Sequence, residues 1–442
     1  MTNSTTDILQ ALNIADSFTL AMDEEIRQDG LSGSLCGCVS ELNQLPDIET
    51  LKQRIDQFSQ YFPTATASLQ QRGKRFYWCK RETSPPLFFQ HRCPENSSAD
   101  KFQQQTINEL INQQQNRELT TAIEFHLISS PTKVTFFIRW IHPFCDARGI
   151  DLILKFLCTE TEEERKLFAQ AIDKPLVDIQ LDKYPWWQKV VLLLKGKRYI
   201  ADIDKLHSIQ SFNTDQPPEQ LNHSIQTLSQ QQTEIVNKQA RKYCGLTGTS
   251  LYYIACLMRA LEKMNPTSDG EAYCAPYAFN LRRQRVLTPV TANHVCALFA
   301  QAPRDIVKDR KKLFAHLKQQ NMDVIRQKLD YAFLPLMWAG SWLSLDKYGK
   351  ILRLSSKGKE RSSFWFSDVG KVDLTNVQFP GAEIKRMFHL CQVTTPPGLA
   401  LLCCNYQGQL SLSYSFVEPI ISQQQIETLQ QLVLAELLEE TE

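Results

Sequence analysis

Residues 122–157 constrain the fold more than any other stretch of this chain. Apolar and polar side chains alternate along AIEFHLI (122–128), SSPT (129–132) turns the chain, and VTFFIRWI (134–141) is again β-branched and aromatic. A two-residue period on both sides of a turn predicts a β-hairpin. Ile150, Ile153, Leu154 and Leu157 then recur at i, i+3, i+4 and i+7, which predicts a helix beginning close to Asp146. Such strands and helices alternate in both halves of the chain, which places it in the α/β (α+β) class.

The rest of the sequence repeats this alternation. Leu51, Ile55 and Phe58 predict a helix over 48–62 that Pro63 stops, and RFYWC (75–79) is a basic, aromatic strand. Ile107, Leu110 and Ile111 mark an exposed helix over 102–117. Between Asp202 and Gln232 the composition turns polar around Pro217 and Pro218, as where a chain crosses between lobes. This divides it into an N-terminal lobe, 1–205, and a C-terminal lobe, 206–442. Helices follow over 231–243 and 249–262, a hairpin turns at Gln407 and Gly408, and Ser422 with Gln425 opens a last helix in a capping box.

With 43% hydrophobic and 22% charged residues over 442 positions, the chain can bury a large core. Lys and Arg number 49 against 48 Asp and Glu, a net charge of +1, which gives no broad field for a polyanion, so nucleic acid is not an expected partner. The opening residues lack the pattern of a secretory signal, and no run reaches the ~20 apolar residues of a membrane span. The 13 cysteines are odd in number and include no CxxC pair. Free thiols in a reducing cytoplasm and no metal site are the expectation.

The chemistry-bearing block is RWIHPFCDARG (139–149), an H-x-x-x-D set at the exit of a strand. An imidazole there projects into a cleft and can take a proton near neutral pH, so His142 is the candidate general base. Asp146, at the start of the following helix, is read as architectural, either capping free N–H groups or pairing with an arginine. Gly149 allows another segment or a ligand close to the backbone. As a nucleophile Cys145 would need its own base, so burial behind the loop is the preferred reading.

This block resembles the H-H-x-x-x-D-G motif of the condensation-domain and CoA-dependent acyltransferase superfamily, with His142 at the second histidine and Asp146 at the aspartate. In the order that superfamily requires follow TGTSLYYIACLMRAL (247–261), AFNLRR (278–283) with Asn293, FSDVG (366–370) and PPGL (396–399). The resemblance spans essentially the whole chain. Ile141 stands in place of the first histidine, Ala147 in place of glycine and Asp368 in place of asparagine.

The resemblance implies two chloramphenicol acetyltransferase-like lobes, each a mixed sheet flanked by helices, with a tunnel between them and His142 at its middle. It implies acyl transfer from a thioester of coenzyme A or an acyl carrier protein to a hydroxyl or amine. No resident cofactor is needed, since acyl-CoA or acyl-phosphopantetheine is a co-substrate. Ser367 and Asn280 are the candidate oxyanion or substrate contacts. The superfamily's aspartate pairs with an arginine, and Arg282, Arg283 and Arg285 all offer themselves to Asp146. The basic run from Lys347 to Arg361, with Lys357, Lys359 and Arg361 at its end, either receives CoA phosphates or an acidic carrier protein or is a solvated face. Tyr184 to Leu194, followed by Lys195, Lys197 and Arg198, suits peripheral membrane contact, and equally a core helix at the lobe junction. A monomer is expected because two lobes of one chain complete the site. The rival reading is a non-catalytic relative that binds a carrier protein or lipid, motivated by Ile141, Ala147 and Asp368.

Overall fold

The computed structural model describes residues 7–95, 97–114, 116–169, 181–212, 215–245, 248–282, 290–374 and 377–439. Fourteen strands are seen among them. They are β1 Ile8–Ala11, β2 Leu35–Leu42, β3 Ser68–Arg72, β4 Arg75–Cys79, β5 Phe88–Arg92, β6 Ile123–Ser129, β7 Val134–Ile141, β8 Gln220–Thr227, β9 Ala272–Asn280, β10 Val295–Pro303, β11 Trp365–Val372, β12 Ile384–Cys391, β13 Leu399–Tyr406 and β14 Gln409–Glu418. The longer helices are α1 Ile14–Gln28, α2 Ile48–Tyr61, α3 Ala99–Asn112, α4 Ala147–Cys158, α5 Trp186–Ile203, α6 Gln230–Cys244, α7 Thr249–Met264, α8 Arg310–Gln327, α9 Leu329–Gly340, α10 Leu345–Arg353 and α11 Gln423–Leu438.

The strands form a five-stranded sheet in the order β12-β2-β7-β6-β5, a six-stranded sheet in the order β10-β9-β11-β13-β14-β8, and a small sheet β1-β4-β3. Both large sheets are mixed: β5 runs parallel to β6, and β11 parallel to β13 and β9. The expected hairpin is β6–β7, in register from Ile123 opposite Trp140 to Ser129 opposite Val134. All of β7 is buried, because α2, α3 and α4 cover the sheet and leave neither face to water. α4 buries Ile150, Ile153, Leu154 and Leu157, as the spacing predicts.

Two strands differ from the sequence reading. The polar stretch taken as a connection contains β8, an edge strand paired along β14 from Leu221 opposite Val417 to Thr227 opposite Ser411. A strand of polar residues is tolerated at an edge, where only one side of the backbone is bonded. β12 lies late in the chain, yet it pairs with β2 of the first sheet, His389 opposite Cys38 and Cys391 opposite Cys36. Apart from β12, the described strands of the five-stranded sheet precede residue 205 and those of the six-stranded sheet follow it, while α5, before that point, packs on α9. The helix expected over 102–117 spans Ala99–Asn112.

α5 lies against α9. Gly196 permits the approach: a Cβ there would sit 2.5 Å from Leu336 and 2.9 Å from the Ala332 carbonyl oxygen. Among the described residues no helix is long and apolar enough to cross a membrane, and none of the cysteines is in a disulfide.

Candidate active site

β7 ends at Ile141, and the chain turns through Pro143 and Phe144 into α4. Three contacts fix the turn. The His142 N–H donates to the Ser34 carbonyl (2.9 Å), the Trp140 indole N–H to the Cys145 carbonyl (2.9 Å), and Asn293 Nδ2 to the His142 carbonyl (2.8 Å). Trp140 and His142 are two apart at the end of a strand, so both point off one face. That face looks into a cavity of about 270 Å³ between the two large sheets.

The cavity is mostly apolar. α1 contributes Phe18, Met22 and Ile26 one turn apart, and β9, β10, β11 and β13 contribute Pro276, Val295, Phe366 and Leu402. Its polar lining includes His142, Asn280, Ser367, Asp368, Arg148, His389 and Gln392. Both sheets and the crossing strand β12 are needed to enclose it.

His142 is half-buried, and its Nδ1 bonds to no other residue. Burial pushes the imidazole below its ordinary value, opposed by its own backbone carbonyl, the Asp146 carboxylate and the Asn293 side chain. The ring is therefore neutral near pH 7, the form that accepts a proton.

Asp146 does not serve the imidazole through a hydrogen bond. It caps α4, accepting from the Gly149 N–H (3.0 Å), accepts from the His294 N–H (2.9 Å), and forms a buried ion pair with Arg282. Burial works against its charge, but Arg282 and His294 hold the carboxyl below the usual carboxylate range. Arg282 is thus the arginine that meets Asp146; Arg283 and Arg285 lie outside the described residues. Gly149 packs beneath the loop: a Cβ would sit 2.4 Å from the Val290 carbonyl oxygen. Cys145 is fully buried and its thiol is pushed well above the ordinary value, so it stays protonated.

Ser367 is half-buried in β11 and borders the cavity, as does Asn280, exposed at the end of β9. Asn280 Oδ1 accepts from the Arg282 N–H (2.9 Å), which ties it to the arginine that holds Asp146. Asp368 accepts from Ser250 Oγ (2.7 Å) and the Gly370 N–H (2.8 Å). Lys357 and Lys359 are exposed on the turn after α10 and do not line the cavity.

Arg361 corrects the expectation of a phosphate contact. It is buried, with all its N–H groups turned inward. Nε donates to Asp204 (2.9 Å), and the terminal nitrogens donate to the carbonyls of Ile351, Leu352 and Leu354. Arg353 likewise spends its charge internally, on Asp29 and Glu360.

Two groups escaped the sequence reading. Asp16 completes a capping box with Asn13 at the start of α1 and accepts from both the backbone N–H (2.7 Å) and Nδ2 (2.9 Å) of Asn293. Burial pushes its carboxyl up to about 7. The Asn-x-x-Asp spacing was a visible capping signal, but its partner lies 277 residues away. His389, on β12, lines the cavity while almost fully buried, with neither ring nitrogen hydrogen-bonded. Burial and the nearby Arg148 push it down to about 3.

No family model matches the sequence, and no curated protein matches it. Solved structures do. The TRI3 trichothecene 15-O-acetyltransferase from Fusarium sporotrichioides matches with a TM-score of 0.72 at 12% identity, over 99% of this chain and 97% of that one. The first condensation domain of the CDA synthetase matches with a TM-score of 0.72 at 10% identity, over 98% and 96%. The starter condensation domain of rhizomide synthetase, solved as a double mutant in complex with C8-CoA and Leu-SNAC, matches with a TM-score of 0.65 at 11% identity, over 94% and 92%. From end to end, the chain has the two-lobed fold shared by the condensation domains and chloramphenicol acetyltransferase-like acyltransferases.

Proposed function

We propose that this protein is an acyltransferase that moves an acyl group from a thioester of coenzyme A or an acyl carrier protein to a hydroxyl or amine, with His142 as general base. The observation that carries the reading is a neutral His142 bordering an apolar cavity, on a loop pinned from both lobes by Ser34, Asn293 and the Asp146–Arg282 pair. Resemblance in fold to an acetyltransferase and to a domain solved with C8-CoA agrees with it.

In this reading the acceptor's O–H or N–H donates to the His142 imidazole. As its lone pair attacks the thioester carbonyl carbon, the proton passes to the ring. Collapse of the tetrahedral intermediate breaks the C–S bond, and the imidazolium returns the proton to the departing thiolate. Positioned general-base help of this kind contributes ~10²–10⁴ in rate, and alignment of two bound substrates supplies more. Ser367, through its hydroxyl or a backbone N–H, is the candidate donor to the oxyanion, and Asn280 a candidate substrate contact. Asp146 and Arg282 keep the loop in shape. Lys357 and Lys359, unlike Arg361, remain available to a phosphate or an acidic carrier. A single chain supplies both walls of the cavity, which is consistent with a monomer as the working unit.

The rival reading is a non-catalytic relative that binds a carrier protein or lipid; side chains blocking a tunnel at His142 would favour it, whereas His142 borders a cavity. The deciding experiment measures free-thiol release from a panel of acyl-CoA and acyl-carrier donors, with alcohol and amine acceptors, for wild type and His142→Ala. Acceptor-dependent release that vanishes in the variant supports the proposal. Equal background release from both proteins returns the chain to the scaffold reading.

A further inference from the structure

A different surface points outward. α5 buries Leu192, Gly196 and Ile203, which at 100° per residue lie on one side of the helix, the side that meets α9. The opposite side carries Trp187, Val190, Val191 and Leu194, at i, i+3, i+4 and i+7. Their relative exposures are 54%, 45%, 47% and 59%, and Trp186 beside them reaches 78%. Isolated exposed apolar residues need no explanation, but five on the two N-terminal turns of one helix face form a patch that does.

The same face changes character along its length. One turn beyond Leu194 it presents Lys197 and Arg198, both exposed, with exposed Lys195 at its border. From Trp186 to Ala201 there is no acidic residue. Apolar side chains with tryptophan at one end, and lysine and arginine continuing the same face, match the layering of a bilayer surface, acyl region beneath anionic headgroups. Protein interfaces are enriched in tryptophan and arginine but depleted in lysine, and two of the three basic residues here are lysines.

From this we infer that the outer face of α5 docks the protein on an anionic lipid bilayer, with Trp186, Trp187, Val190, Val191 and Leu194 entering the interface and Lys195, Lys197 and Arg198 contacting headgroup phosphates. The inference does not depend on the acyl-transfer reading and can fail separately from it.

The test uses the full chain with extruded vesicles of phosphatidylcholine, with and without phosphatidylglycerol. Binding is read by co-sedimentation and by a blue shift of tryptophan emission. Wild type is expected to bind the mixed vesicles and to be weakened by salt. Trp187→Ser with Leu194→Ser removes two inserted side chains and should weaken binding on the order of a hundredfold. Lys197→Glu with Arg198→Glu should abolish the preference for phosphatidylglycerol. These positions are exposed, and thermal unfolding confirms that the variants fold. Absence of wild-type binding, or equal binding by the serine variant, overturns the inference. So does a concentration-dependent dimer, or a complex with an acyl carrier protein, that the serine variant loses while vesicle binding persists.

Discussion

Asp146 and Arg282 stand 136 residues apart in sequence and meet as a buried ion pair, joining the turn after β7 to the end of β9. The carboxylate also holds the N–H groups of Gly149 and His294, so both its oxygens are satisfied. Removing one partner of such a pair strands a buried charge, at a cost of roughly 3–5 kcal/mol. Arg282→Met should therefore destabilise the protein by about that amount, read from urea unfolding at pH 7. The carboxyl is held below its ordinary value, so its contribution is complete above the unfolded pKa of ~3.9 and is lost as pH falls below it. The difference between Arg282→Met and wild type should shrink in that acid window. A variant as stable as wild type at pH 7 would show that the pair contributes nothing.

Gly149→Ala tests the packing beneath the loop without touching a polar group. The added Cβ would meet the Val290 carbonyl oxygen at 2.4 Å and the Cys145 Cβ at 2.9 Å; the first is backbone and cannot swing aside. Overpacking of this kind costs typically ~1–3 kcal/mol, and the loop must shift to relieve it. Lower stability together with a larger fall in kcat than in substrate affinity is expected. Wild-type kcat in the variant would mean that the His142 loop tolerates displacement.

What could be read in the sequence was local periodicity. The β6–β7 hairpin, α4 and the H-x-x-x-D set lie within 36 consecutive residues, and their patterns need no distant partner. The pairing of Asp146 with Arg282 does, because Arg282, Arg283 and Arg285 have one propensity and the partner carboxylate lies 136 residues away. Arg361 looked like the end of a basic surface run, yet its partner Asp204 is 157 residues away. β8 has the composition of a connection and forms a strand only because β14 offers an edge. No motif singles out β12 in the sequence, and nothing in its residues says that it belongs to the other lobe's sheet.

The pH dependence of transfer follows from the state of His142. Burial holds its imidazole below the ordinary value, so the basic form persists to lower pH than for a free histidine. The kcat/KM profile should rise with pH and level off, with an acid limb whose midpoint lies below ~6.5. A midpoint above that value would be incompatible with a desolvated base at this position.

Asp16 behaves in the opposite sense to Asp146. Its carboxyl is raised to about 7 in the folded protein, so between the unfolded value near 4 and about 7 the unfolded chain releases a proton that the folded one retains. Wild type therefore loses stability across that interval. Asp16→Asn keeps an oxygen for the two Asn293 donors and carries no such penalty. Its melting temperature should gain on wild type as pH is raised from about 5 to 8; a constant difference would remove Asp16 from the account.

His389 provides the acid-side counterpart. Its ring lines the cavity with both nitrogens unpartnered, and it is pushed down to about 3. As pH falls through ~6.5 the unfolded chain takes up a proton at this position that the folded chain refuses until about 3, so wild type is progressively destabilised between those values. His389→Leu removes the titration and two unsatisfied polar atoms while roughly conserving volume. Its urea midpoint should equal or exceed that of wild type at pH 7, and the advantage should widen at pH 5.5 and again at pH 4. The remaining buried histidines are common to both proteins and cancel in the comparison, so parallel acid curves would mean that His389 accepts a proton in the folded state and is not a neutral wall residue.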